Sequence, residues 1–466
     1  MKKTFLLISV TLFYATLFAT GTKNNSNRAE SIKAYFTESL SGNNAEYRQK
    51  KNIKLNSIAQ ERAFVWNLWK ESVNSFNEEK LIPLGLLKEK NSGSWRLPES
   101  LEPNATMPFY WGVNSDSAAI LEEESKLPMF LYMHGSGDKN REWETGLKLA
   151  LSYFYSPAVY MVPQIPNGYG ELYRWAIQSK QWAWEKLLRL AFVNDKIDAN
   201  RIYFFGISEG GYGSQRLAAF YADYLAGAGP MAGGEPLKNA PMENVANIAF
   251  SLRTGELDYG FGRNMLTNEA LKTTTELKRQ HPGYFNHFIE IIPQQGHSID
   301  YRPTTPWLAK FERNPHPRYF YWENYDMYGR HRDCFYNIRV NETSAENDKQ
   351  RTCYEFSCEE NTINLTVKNV TYTATLTHAN IEFLFSKEYS SVNKGNITIY
   401  LNEELFDLKK PITILLNGEK IFKGKVKPSL DTMVESCALY YDPERIFPAA
   451  IEVDIANRKA KDVTKK

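Results

Sequence analysis

The sequence predicts an α/β fold: a mostly parallel sheet with helices on both faces, a helical segment before it and a small antiparallel β module behind. Three observations predict it. Short apolar runs bounded by Gly, Pro or Asn recur at residues 129–133, 158–162, 202–205, 248–252 and 288–292. Helix-length amphipathic stretches, such as 175–192 and 213–224, lie between several of them, and buried strands alternating with helices make a parallel sheet covered on both sides. The last hundred residues change to apolar–polar alternation, the pattern of half-buried antiparallel strands.

The chain's 466 residues exceed what one core usually fills. Charged residues at 24% and hydrophobic ones at 42% exclude a largely disordered chain, a fibrous repeat and a polytopic membrane protein. The net charge of +2, from 56 Lys+Arg against 54 Asp+Glu, offers no basic field for nucleic acid. Aromatic residues are in excess, with 10 Trp, 28 Tyr and 26 Phe, which serve either as core or as platforms for sugars.

The chain opens on Lys2 and Lys3, then an apolar stretch over residues 5–19 that stays uncharged until Lys23. That is short for a membrane span and fits a secretory signal peptide over 1–21, cleaved after Gly21. The expected location is therefore secreted or periplasmic, with no membrane span after signal removal. A helical segment is expected over 22–95. Ser57 and Gln60 read as a capping box, and Leu55, Ile58, Arg62, Val65, Trp69, Val73 and Phe76 repeat at helix spacing, Arg62 being the polar break.

The α/β domain is expected over 96–315, a strand-rich connector over 316–354, the β module over 355–456 and a frayed basic tail over 457–466. Within the module, strands are expected at 363–367, 381–385, 397–401, 412–416 and 419–426, and Asn417-Gly418 is a hairpin signal. Cys334, Cys353, Cys358 and Cys437 could form two bridges, in three possible pairings, or remain thiols. Their spacing is poor for zinc, and neither a metal nor a cofactor is expected.

The chemistry centres on Gly206-Ile207-Ser208-Glu209-Gly210. A G-x-S-x-G alone is weak evidence, but here an apolar strand leads in and a helix leads out. Such a turn strains the serine, exposes its hydroxyl and needs glycine at its flanks so that strand and helix can pass closely. A serine hydroxyl needs a base to take its proton and a third group to orient that base. Asp258 follows the strand at 248–252, and His297 follows the strand at 288–292. Glu256 and Asp300 are rivals for the acid. Donors for an oxyanion are expected from the backbone of Glu209 and of Gly135 or Ser136, in the His134-Gly135-Ser136-Gly137 loop after the strand at 129–133. His134 reads as structural.

Asp198-Ala-Asn-Arg201-Ile-Tyr203, running into Gly206-Ile-Ser208-Glu-Gly210-Gly211-Tyr212-Gly213, resembles the α/β-hydrolase superfamily. The resemblance is to secreted esterases of the polyhydroxybutyrate-depolymerase and feruloyl or acetyl-xylan esterase type. It covers residues 96–312 and includes the Gly-rich strand at 226–234. It implies Ser208 as nucleophile, Asp258 as acid and His297 as base. Glu209 departs from the pattern, where an uncharged residue is more usual: either its carboxylate meets an arginine, with Arg141 and Arg263 as candidates, or it marks a substrate preference unlike that of ordinary esterases.

The expected substrate is a carboxylic ester, small or polysaccharide-linked. A peptidase of prolyl-oligopeptidase type stays open, although about 75 residues after the signal leave no room for a propeller. So does a binding protein on an inactive hydrolase scaffold. Oligomeric state is not legible.

Overall fold

The computed structural model describes residues 26–43, 46–47, 51–166, 174–378 and 381–464. The expected signal peptide lies outside them. Among the described residues no helix is long and apolar enough to cross a membrane.

The chain forms two compact units. One combines the segment up to Glu78 with Lys427–Ala449; the other comprises Glu79–Val426 and Ala450 onward. The first unit is helical. Its helix Ile58–Ser75 buries Val65, Trp69 and Val73, and the Trp69 ring meets Phe36 edge-on at 4.9 Å. Arg62 sits on this apolar face because its Nε donates to the Ile446 carbonyl. The expected capping box does not form. Ser57 ends a 3-10 turn in helical backbone and makes no side-chain cap.

A second helix, Leu430–Tyr440, lies where a β module was expected throughout 355–456. Ser429 accepts from the Thr432 N–H as its cap, and Leu430, Met433, Val434, Cys437 and Tyr440 are all buried, the spacing of one helical face.

The second unit is built on an eight-stranded sheet in the order β1-β2-β4-β3-β5-β6-β7-β8. The strands are β1 (Ser92–Arg96), β2 (Thr106–Asn114), β3 (Leu127–Met133), β4 (Ala158–Pro163), β5 (Ile197–Ile207), β6 (Gly227–Met231), β7 (Ala249–Gly255) and β8 (His287–Ile292). The pairs formed by β1 with β2 and by β2 with β4 are antiparallel; from β4 to β8 every pair is parallel. The expected α/β architecture is therefore present, and it starts slightly before residue 96.

The helices of this unit are α1 (Lys139–Ser152), α2 (Gln178–Phe192), α3 (Glu209–Tyr221), α4 (Arg263–Gln280) and α5 (Thr304–Leu308). The aromatic excess is largely core. Phe130 stacks with Tyr160 and Tyr203, the Phe130–Tyr203 centroids 4.6 Å apart, and Phe205 meets Phe130 edge-on. Trp69, Trp95, Trp111, Trp175, Trp184 and Trp322 are fully buried.

Behind the sheet come β9 (Tyr319–Asn324), β10 (Cys334–Phe335), β11 (Ile338–Glu342), β12 (Gln350–Glu359), β13 (Thr362–His378), β14 (Ile381–Ser390), β15 (Asn396–Leu401), β16 (Ile412–Leu416), β17 (Glu419–Gly424), β18 (Ala449–Asp454) and β19 (Lys459–Asp462). They form one sheet ordered β17-β16-β13-β12-β9, with β14 on β13, and another ordered β10-β11-β15-β18-β19. Rings from both sheets face one another, as Trp322 and Phe335 do at 5.3 Å. The supposed connector thus supplies β9 to the module itself.

Asn417 and Gly418 both take positive φ, the two-residue turn their identities predict. The tail is not frayed throughout, because β19 pairs with β18 from Ile451↔Asp462 to Asp454↔Lys459. All four cysteines are buried thiols. Cys353 and Cys358 share β12 five residues apart, about 16 Å along an extended strand, well beyond disulfide reach.

Candidate active site

One residue separates β5 from α3, and it is Ser208. Its φ of 55° and ψ of −111° lie outside the regions an L-residue prefers, a strain of about 1–3 kcal/mol held by the surrounding packing. The Ser208 N–H donates to the Met231 carbonyl at 2.9 Å, anchoring the turn to β6. Gly210 must be glycine here. A Cβ at that position would stand 1.9 Å from the Met133 carbonyl oxygen, and one at Gly206 would stand 2.4 Å from the Gly210 oxygen. The helix begins at Glu209, earlier than the apolar pattern indicates, so its first unbonded N–H groups stand directly behind the serine.

The acid and base come from the turns after β7 and β8. These turns are tied together by backbone: the Leu257 N–H donates to the Gln295 carbonyl at 2.8 Å and the Glu256 N–H to the Ile292 carbonyl at 2.9 Å. A Cβ on Gly255 would lie 2.1 Å from the Gly296 oxygen, so that glycine is what lets the turns meet. His297 thereby reaches both partners. The Ser208 hydroxyl donates to His297 Nε2 at 2.9 Å, and His297 Nδ1 donates to Asp258 Oδ2 at 2.7 Å. Asp258 is 3% exposed at its side chain, whereas His297 is 47% exposed. The acid is shielded and the base opens to solvent and substrate.

The structure thus brings Ser208, His297 and Asp258 into one hydrogen-bonded line. The rival acids are engaged elsewhere. Glu256 accepts from the Gln294 N–H at 2.9 Å. Asp300 is held by Arg302, whose hydrogen bonds keep its carboxyl below the usual carboxylate range.

Sequence reasoning missed Arg263 in its actual place. It was one of two candidate partners for Glu209, but its Nη1 donates to Asp258 Oδ1 at 2.9 Å, and its guanidinium lies against the rings of Tyr212 and Phe261. The Glu209 side chain is buried at the start of α3. Arg263 opens α4 only five residues past Asp258, a spacing that could have flagged it.

The loop after β3 stands against the serine. Gly135 is buried, and a Cβ there would lie 3.6 Å from the Ser208 Cβ; Ser136 is exposed. The backbone of this loop and the first residue of α3 therefore border the serine from two elements. His134 is structural: its Nε2 accepts from the Ile165 N–H at 3.1 Å, which leaves Nδ1 protonated and bonded to the Gly135 carbonyl at 2.7 Å.

Two groups nearby were not singled out by sequence. The Glu142 carboxylate, from α1, lodges against Gly135 and Gly137. Burial, reinforced by the carboxylates of Asp258 and Glu142, pushes the Tyr301 phenol above its ordinary range, so it stays neutral. Among the described residues no group of three or more His, Cys, Asp or Glu is arranged to hold a metal.

No family model matches this chain, and no curated protein matches it by sequence. Solved structures do. A thermostable esterase aligns at 18% identity over 49% of this chain and 64% of its own, with a TM-score of 0.36. A ferulic acid esterase aligns at 14% identity over 47% of this chain and 97% of its own, with a TM-score of 0.35. A Bacteroides ovatus protein of the dipeptidyl aminopeptidase IV type aligns at 14% identity over 47% of this chain and 34% of its own, with a TM-score of 0.34. The chain thus spans under two thirds of the first and about a third of the last. The strand order, with β2 antiparallel, the serine turn after β5 and the acid and histidine turns after β7 and β8 identify the fold of this unit as that of an α/β-hydrolase.

Proposed function

We propose that the chain is a serine hydrolase that cleaves carboxylic esters through an acyl-enzyme on Ser208. The observation that carries this is the line Ser208 Oγ to His297 Nε2 to Asp258, 2.9 and 2.7 Å long, mounted on a strained serine turn. His297 takes the hydroxyl proton as Ser208 attacks the carbonyl. The developing oxyanion is received by the N–H of Glu209 and one from Gly135 or Ser136, with the N-terminus of α3 behind them. His297 returns the proton to the leaving alcohol, then activates a water that releases the acid. Asp258 keeps the proton on Nδ1, so that Nε2 is free to accept.

An inactive binding scaffold would tolerate a broken line of hydrogen bonds, and this one is continuous. The near-zero charge favours a neutral substrate, small or linked to a polysaccharide. The apolar stretch after Lys2 and Lys3 supports export to the periplasm or beyond.

The test is turnover of p-nitrophenyl acetate beside a proline-containing peptide p-nitroanilide. The ester should be preferred, and Ser208→Ala should lose at least ~10³-fold in kcat. Preference for the peptide would replace the esterase reading with a peptidase one.

A further inference from the structure

The β module does more than cover the hydrolase core. Strand β12 pairs with β13 only as far as Thr371, so residues 372–378 pair with β14 alone and the hairpin overhangs its sheet. At about 3.3 Å per residue that overhang is roughly 20 Å, and a two-stranded ribbon of this kind is marginal in water unless it packs on something.

It packs beside the acid turn. Phe383 of β14 is 6% exposed and lies against Gly262, where a Cβ would come within 2.7 Å of its ring and where φ is +67°. Glu382 pairs with Lys238 at 3.2 Å, and the Lys238 ammonium sits 5.1 Å from the Phe385 ring centroid.

Between hairpin and core lies a cleft of about 450 Å³. Its core side includes Tyr212 and Phe261, its hairpin side Phe383 and Phe385, and Lys238 and Asn239 add polar groups. The cleft adjoins the triad through the guanidinium of Arg263, which holds Asp258. Tyr212 lies one turn beyond Ser208 on α3, Phe261 follows Asp258 in the acid turn, and both rings flank the guanidinium that holds Asp258.

The lining defines the ligand. Phe261 is 51% exposed and offers a ring face. The cations are matched: Arg216 by Glu235 and Lys238 by Glu382. The cleft therefore has hydrogen-bonding groups around aromatic faces without a net field for a charged ligand.

We infer that this cleft receives the part of the ester remote from the scissile bond, a neutral sugar ring, and that the β13–β14 hairpin is the wall that sets specificity. The inference rests on the esterase reading for its link to turnover, but not for binding.

The experiment compares kcat/KM for acetylated xylotriose, methyl ferulate and p-nitrophenyl acetate in the full chain and in Phe385→Ala and Glu382→Ala. The ratio of sugar ester to p-nitrophenyl acetate should fall about tenfold in each variant, mainly through KM. Glu388→Ala, on the hairpin but outside the cleft, should keep the wild-type ratio. An unchanged ratio in Phe385→Ala and Glu382→Ala overturns the inference, and so does a loss confined to methyl ferulate. Calorimetry of unesterified xylotriose with Ser208→Ala separates the two claims. Binding that Phe385→Ala weakens supports the cleft even in a protein that hydrolyses no ester, and absence of binding overturns it.

Discussion

Asparagine at position 258 separates the charge of the acid from its shape, and Arg263 determines which way the amide must face. Asp258 accepts from Arg263 Nη1 at 2.9 Å on Oδ1 and from His297 Nδ1 at 2.7 Å on Oδ2. An asparagine has one acceptor and one donor in those places. The guanidinium only donates, so the amide oxygen must face Arg263 and the amide nitrogen must face His297. Nδ1 then has to accept, the imidazole proton moves to Nε2, and Nε2 can no longer take the Ser208 proton.

Asp258→Asn should therefore cost about 10⁴-fold in kcat, the order seen when a triad histidine is held in the wrong tautomer. Turning the amide over would aim donor at donor in a site where the side chains of residues 258 and 263 are 3% and 11% exposed. The unsatisfied groups cost about 1–3 kcal/mol, or roughly 10–100-fold in rate.

Arg263→Met lifts that constraint. The double variant Asp258→Asn/Arg263→Met should recover about 10–100-fold over Asp258→Asn, although Arg263→Met alone lowers activity. The assay is p-nitrophenyl acetate hydrolysis, with thermal unfolding to establish that each variant is folded. A folded double variant no faster than Asp258→Asn refutes the claim that Arg263 fixes the carboxylate.

Three further outcomes are expected. Gly210→Ala forces a Cβ against backbone at 1.9 Å and should lower stability by at least about 1–3 kcal/mol and abolish turnover; Gly296→Ala, where a Cβ meets nothing within 4 Å, should fold normally, and equal damage from both would contradict the packing. Burial alone would raise the Glu323 carboxyl, but Lys387 and Arg351 outweigh it and hold it below its ordinary value, so its stabilisation is complete above about pH 4.3 and is lost as pH falls through the folded value. Glu323→Gln should accordingly cost about 3–5 kcal/mol at neutral pH in chemical denaturation and flatten the pH dependence of stability on the acid side; an unchanged acid limb would exclude this carboxylate from it. With four buried thiols, Tm should be the same with and without reductant, and a clear drop in reductant would reveal a bridge.

The parts of the site that sequence made legible are those with a local signature. Gly206, Ser208 and Gly210 could be read because a strand-to-helix turn imposes its demands within a few residues. Asp258 and His297 could be read because each comes after an apolar run, although only β7 is buried throughout and β8 is half-buried. Beside the histidine, nothing stands within 4 Å of a Cβ on Gly296; the steric need for glycine falls on Gly255 instead.

Arg263 was misplaced because its partner is set by how the acid turn folds back on α4. The helix Leu430–Tyr440 was not read, because its signals, Ser429 and an apolar spacing, lie among strands on both sides in sequence. The capping pattern at Ser57 failed for the opposite reason: the right residues are present, but the preceding 3-10 turn keeps Ser57 in helical backbone. The overhang of β13–β14 depends on where β12 stops pairing, which alternation alone does not specify.

The central claim is that Ser208 is an activated nucleophile, and covalent labelling tests it most directly. A fluorophosphonate probe, with the adduct located by peptide mass spectrometry, should modify Ser208 in the full chain, should leave Ser208→Ala unlabelled and should react at least ~10³-fold more slowly with His297→Ala. No labelling of the wild-type chain, or labelling at another serine, would contradict the claim.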